Sequence, residues 1–279
     1  MSGGAPMFKI HMLGGFSIAV GGRLSHGELG ANGRRLSAYL FAFPNSLHRR
    51  AKLVDLFWPD LDPDQARAAF STALWRLRRL LRMEKDQGRA KVVATMHELL
   101  LEVIDDTIVD AHHFQSVVAN AFRSGDGRPD FEALDRAVGL YAGPFLDGDD
   151  DDWILEQRER LHCLYVRALT ELMHWLGEQD RYEDALVCGR RILASDPMRE
   201  TVQRCVMLLY VLNGQRREAI RQFERCVHVL RDDCDVEPMP ETQDLASLIR
   251  SGEIFGRVPE IRQAVYAAGK QGQFSLSMR

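Results

Sequence analysis

The stretch PDQARAAFSTALWRLRRLLR, Pro63–Arg82, has two unlike faces when wound at about 100° per residue. Ala66, Phe70, Ala73, Leu74, Leu77, Leu80 and Leu81 fall on one side, which demands a core. Ala68, Ser71, Thr72, Trp75, Arg78, Arg79 and Arg82 fall on the other, flanked by Arg67 and Arg76. Residues 67–82 hold five arginines and no carboxylate. Asp62 suits an N-cap, Pro63 the first helical position and Asp64 the first turn, so a helix starts here. A helix fits the major groove of DNA, where Ser, Thr and Arg address base edges or phosphates. The plainer readings are a solvated basic face, or a face that packs on acidic parts of the same chain.

The surroundings favour the first reading. Upstream, Phe8, Ile10 and Met12, then Phe16, Ile18 and Val20, alternate with polar or small residues around Gly14-Gly15. They read as two short strands. Arg34–Phe43 and Arg49–Trp58 are helical patterns stopped by Pro44 and Pro59. Downstream, Lys91–Thr95 and Glu98–Val103 are apolar and β-branched around Met96-His97, as in a hairpin. Strands, three helices and a hairpin make a winged helix-turn-helix whose third helix enters the major groove.

Charge divides in the same place. Residues 1–104 carry 15 Lys/Arg and 9 Asp/Glu, net +6, and residues 34–82 alone are +6. The remainder is net -10, so the whole-chain value of -4 conceals a basic front and an acidic back. A local positive field of this kind suits a polyanion.

The second half is helical: Val109–Phe122, Phe131–Tyr141, Trp153–Leu176, Tyr182–Leu193, Glu200–Leu212, Gln215–Leu230 and Glu241–Ile249. Tyr182-Glu183-Asp184-Ala185-Leu186 aligns with Arg216-Arg217-Glu218-Ala219-Ile220 at an offset of 34. Leu172 with Val206, Leu176 with Tyr210 and Ile192 with Cys226 keep that register. The offset is the tetratricopeptide period, with Ala185 and Ala219 where paired helices approach closely.

Other chemistries lose support. The longest apolar runs, Leu36–Phe43 and Cys205–Leu212, are eight residues, far below the ~20 that cross a bilayer. No signal sequence precedes Phe8, and a cytoplasmic protein is expected. The five cysteines include no CxxC and read as buried reduced thiols. The run Asp147–Asp152 fails as a calcium loop, because Asp152 and Arg158 stand where Gly and Glu are needed. Its better use is Asp152 capping a helix from Trp153. Asp110, His112 and His113 lack further ligands nearby, so no metal is expected. No phosphate-binding loop or catalytic constellation is visible; no enzyme and no cofactor are expected.

These residues resemble a family. Leu13-Gly14-Gly15-Phe16, Leu53-Val54-Asp55-Leu56-Phe57-Trp58-Pro59 and Ala73–Leu81 look like the DNA-binding half of SARP/AfsR-type regulators. Leu140–Leu146, Trp153 with Glu159-Arg160-Leu161, Asp196–Glu200 and Val236–Thr242 are similar to their bacterial transcriptional activator domain. The resemblance implies an OmpR-like winged helix followed by a tetratricopeptide-like helical domain, and a transcriptional regulator, usually an activator. It implies double-stranded promoter DNA with repeated sites, RNA polymerase as partner, and a homo-dimer on those repeats. Family members often carry Gly-Tyr-Arg-Leu where this chain has His97-Glu98-Leu99-Leu100, and an Arg near Ser71. Only about 30 residues follow Ile249, too few for the ATPase or phosphopeptide-binding modules of some relatives.

The expected architecture is therefore mainly α. A winged-helix domain at 1–106 has small strands and a hairpin. A tetratricopeptide-like activator domain follows at 107–252, and a tail at 253–279. Ser71, Thr72 and Trp75 are the expected groove contacts, and Arg67, Arg76, Arg78, Arg79 and Arg82 serve phosphates or bases. Arg49, Arg50 and Lys91 are the expected outer backbone contacts. The competing expectation is an interaction adaptor of tetratricopeptide type whose winged helix does not bind DNA.

Overall fold

The computed structural model describes residues 8–20, 23–25, 29–82, 90–103, 107–123 and 127–260. Two compact units are formed among them. One takes the residues up to Ala119 together with Gly139–His162, and the other takes Asn120–Val138 and the residues from Cys163 onward. Small strands lead, and helices dominate thereafter, as the hydrophobic periods predict.

In the first unit, β1 (Phe8–His11) pairs antiparallel with β2 (Ser17–Val20), and β2 with β3 (Arg23–Ser25). Then come α1 (Ala31–Ala42), β4 (His48–Arg49), α2 (Arg50–Phe57) and α3 (Pro63–Arg82). The hairpin β5 (Ala90–Ala94) and β6 (Glu98–Val103) lies against β4, and β7 (Thr107–Val109) pairs parallel with β1. The strands β3, β4 and β7 have two or three residues each, too short for a period to show. The start of α3 is as expected: the Asp62 carboxylate accepts from Asp64 N and Gln65 N at 3.1 Å.

Segments distant in sequence complete this unit. The Asp110 carboxylate, at the start of α4 (Asp110–Ala121), accepts from Met12 N at 2.8 Å and Leu13 N at 3.2 Å. Gly14 N donates to Pro144 O and Leu146 N to Met12 O, both at 2.8 Å, and Leu13 bridges Phe145. Gly14 has φ 97°, and a Cβ on Gly143 would touch its Cα at 3.4 Å, so the two glycine motifs meet backbone to backbone.

The acidic run has a structural use. The helix α6 (Asp152–Glu178) starts one residue earlier than expected, with the Asp151 carbonyl accepting from Ile154 N and Leu155 N. Asp151 also pairs with Arg35. Arg158 donates to the carbonyls of Phe145, Leu146 and Asp149 at 2.6–3.0 Å. A guanidinium thus satisfies the carbonyls at and just before the acidic run.

In the second unit α5 (Phe131–Leu140) is capped by Asp130, whose carboxylate accepts from Ala133 N at 2.9 Å. The end of α6 is followed by α7 (Tyr182–Ser195), α8 (Glu200–Leu212), α9 (Arg216–Cys234), α10 (Pro240–Ser251) and a 3-10 turn at Glu253–Arg257. The repeat register is physical: Ala185, Ala219, Leu172, Val206, Ile192 and Cys226 are all buried. A Cβ on Gly189 would lie 2.5 Å from Val206 Cγ2, so α7 and α8 meet there with no room for a side chain. The cysteine expectation needs correction. Cys188, Cys205 and Cys226 are buried, but Cys163 and Cys234 are exposed on the outward faces of amphipathic helices. Burial pushes the thiols of Cys188 and Cys226 up to about 11 and that of Cys205 to about 12.

Candidate nucleic-acid interface

The two faces of α3 separate as its sequence dictates. Ala66, Phe70, Ala73, Leu74, Leu77 and Leu80 are buried. Arg67, Ala68, Ser71, Thr72, Trp75 and Arg79 are exposed, and Arg78 is half-buried. Phe70 meets Trp58 edge-on and Trp58 meets Phe57, so aromatic packing fixes the helix on α2. The outward face is then carried by a rigid element, which helps a helix to be read in a groove.

Side chains on that face are partly ordered by their own helix. The hydroxyls of Ser71 and Thr72 donate to the carbonyls of Arg67 and Ala68. Their lone pairs remain outward, able to accept from a base edge. Trp75 is 58% exposed, an unusual state for the largest side chain. The Arg79 guanidinium lies 5.5 Å from the centre of its ring. Arg67 pairs with Asp64 one turn back in an exposed contact that a phosphate readily displaces.

Four other expected residues stand apart from this face. Arg76 turns toward the start of α1, where its Nη1 is 3.5 Å from Leu29 O. Gly30, the N-cap of α1 at φ 70°, leaves room for it, since a Cβ there would sit 2.9 Å from the same Nη1. Arg50 braces the hairpin. Its backbone N donates to His97 O at 2.9 Å, its Nη1 to Thr95 O at 3.2 Å, and its guanidinium lies 5.4 Å from the Phe70 ring centre. Arg49 is exposed beside it. Lys91 is four residues back along β5 from the Thr95 turn, and it pairs with Glu102 at 2.9 Å. The Arg82 side chain lies outside the described residues.

A groove of about 1070 Å3 runs between α2, the first turns of α3 and the β5–β6 turn. Its lining includes Arg67 and Ser71 from α3, and Arg49 and Arg50 together with the Met96, His97 and Glu98 turn to which they bond. One residue missed in the sequence helps to place the site, and one expected residue is held otherwise than expected. Gly30 places Arg76, and the signal available for it was a glycine immediately before an apolar period. Arg50 acts on the turn rather than outward, which no local pattern announces.

A family profile described as bacterial transcriptional activator domain matches residues 109–250. The chain belongs to that family, among the SARP/AfsR-type regulators. Its members with similar sequence include the regulatory protein AfsR of Streptomyces coelicolor, 26% identical over 219 residues. That match covers 77% of this chain and 22% of AfsR, so the chain spans about a fifth of that relative. The transcriptional regulatory protein MoaR1 of Mycobacterium tuberculosis is 28% identical over 224 residues, 76% of this chain and 70% of MoaR1. The solved structure of Mycobacterium tuberculosis EmbR, in complex with a low-affinity phosphopeptide, superposes with a TM-score of 0.69 at 21% identity. It covers 95% of this chain and 70% of that one, and it shows the shared fold. The fold expected from the sequence, small strands and a hairpin before a helical domain, is the fold observed.

Proposed function

We propose that this protein is a sequence-specific, DNA-binding transcriptional activator that lays α3 in the major groove of promoter DNA. The observation that carries the reading is the outward face of α3. It combines Ser71, Thr72 and the exposed Trp75 with Arg67, Arg78 and Arg79, on a helix whose other face is buried core. Arg82 is the next arginine along α3, Arg76 contributes from beside the start of α1, and Arg49 serves the flanking phosphate backbone. Arg50 and Lys91 act mainly within the hairpin, with phosphate contact secondary to their bonds to Thr95 and Glu102.

The names of AfsR and MoaR1 support regulation as the activity. RNA polymerase as the partner, and a pair of copies on repeated sites, complete the proposal. It is a cytoplasmic, non-catalytic role. Among the described residues no helix is long and apolar enough to cross a membrane.

The test is selective retention. The protein should hold a fragment of its promoter against an equal-length competitor at moderate salt. Equal retention of both sinks the sequence-specific reading. One observation favours the adaptor alternative: Met96, at the hairpin turn, is 81% exposed, and no Lys or Arg lies between Lys91 and Val103. Failure to retain either fragment would select that reading.

A further inference from the structure

The second unit carries a cavity of about 370 Å3 between residues 127–130, the start of α5 and one face of α6. Its apolar wall is aromatic. Phe131 and Trp175 stack with ring centres 4.9 Å apart and planes 9° apart. Phe122 carries the Arg167 guanidinium 3.9 Å from its ring centre. Its polar wall holds both signs. Arg167, Glu171, Trp175 and Glu178 follow at i, i+4, i+8 and i+11 on α6, so one stripe presents a cation, a ring and two carboxylates. Arg128 also borders the cavity.

One carboxylate of this lining is drawn partly out of water. Glu171 is half-buried, and burial is the main influence on its carboxyl, raising it, with Arg167 pulling it back. Arg167, exposed on α6, holds its guanidinium over the Phe122 ring at the edge of the cavity. The volume is at the small end of ligand pockets, roughly 300–1,000 Å3, too small for a dinucleotide and adequate for a single ring with a short polar arm. An anionic ligand without an ammonium would be carried by Arg167 but would face the half-buried Glu171 unanswered, so a ligand with both charges fits the lining best.

We propose that this cavity binds a free aromatic α-amino acid. The ring lies against Phe131 and Trp175, the carboxylate meets Arg167, and the ammonium meets Glu171. This inference does not rest on the DNA reading, since none of these residues lies on α3.

Isothermal calorimetry on the full chain tests it, with L-phenylalanine, L-tyrosine and L-tryptophan as probes. At least one should saturate with Kd below ~1 mM, and phenylacetate and phenethylamine, each lacking one charge, should bind at least ~10-fold more weakly. Glu171→Gln and Arg167→Met should each weaken the best probe by ~10-fold or more. Thermal unfolding checks the variants, and the near-isosteric Glu171→Gln decides if Arg167→Met is destabilised. No saturation by any of the three up to ~10 mM overturns the proposal. Equal binding of the single-charge analogues, or unchanged affinity in Glu171→Gln, overturns it as well.

Discussion

Two residues of the α3 interface make different predictions because they are held differently. Arg79 rests on Trp75 at the exposed face, with its charge outward. Arg79→Ala should weaken DNA binding and reduce the slope of log K against log salt by about 0.9, the value for one lost phosphate contact. An unchanged slope in a salt titration by fluorescence anisotropy removes Arg79 from the interface. Gly30 touches no DNA in this arrangement but places Arg76. Gly30→Ala forces an L side chain into φ 70° and into the Arg76 guanidinium. It should cost about 1–3 kcal/mol of stability and should also lower DNA affinity. Denaturant unfolding measures the first effect. The second separates positioning from packing, because a purely structural glycine leaves the affinity of the folded fraction unchanged.

Between elements, close approach and buried titration dominate. The seam of α7 and α8 is tight at Gly189, where Val206 Cγ2 and the Met173 sulfur would lie 2.5 and 3.2 Å from a Cβ. Gly189→Ala should destabilise by about 1–3 kcal/mol as an overpacked core, despite alanine's better helix propensity. A raised unfolding midpoint would refute the tight seam. In the first unit the His112 Nε2 meets Ala42 O at 2.9 Å, joining α4 to α1. Burial holds the His112 ring below its ordinary 6.5, opposed by the bond to Ala42. As pH falls below 6.5 the unfolded chain takes up a proton that the folded chain resists, so stability falls. Wild type should lose more unfolding temperature between pH 7.5 and 5.5 than His112→Gln. Equal losses would show that another group controls the slope.

At the scale of the chain, order in sequence and order in space part company. The expected first domain ends at residue 106. Yet β7 pairs with β1, Asp110 holds Met12 and Leu13, and Pro144 to Asp147 bond to the turn at Met12–Gly14. A fragment ending at 106 lacks all three sets of partners. It should unfold at a clearly lower temperature than a fragment ending at 162, measured by circular dichroism. Equal midpoints would show that the later segments add nothing to the winged helix.

The sequence by itself determined the mainly α class, the two faces of α3, the capped start at Asp62 and the 34-residue register. Each is a local matter: the helical period sorts side chains before any partner is chosen, and Ala185 and Ala219 mark close contact by their size alone. The family was legible too, because its motifs lie in order along the chain. Only the tertiary structure decided where Arg76, Arg50 and Lys91 turn, since a long flexible side chain goes to whichever carbonyl, ring or carboxylate folding brings near. The strands β3, β4 and β7 were likewise invisible. A strand of two or three residues has no period, and it exists because a partner strand offers hydrogen bonds. The pairing of the Gly14 turn with Pro144, about 130 residues apart, depends on the backbones of Gly14 and Gly143 meeting where neither glycine carries a side chain.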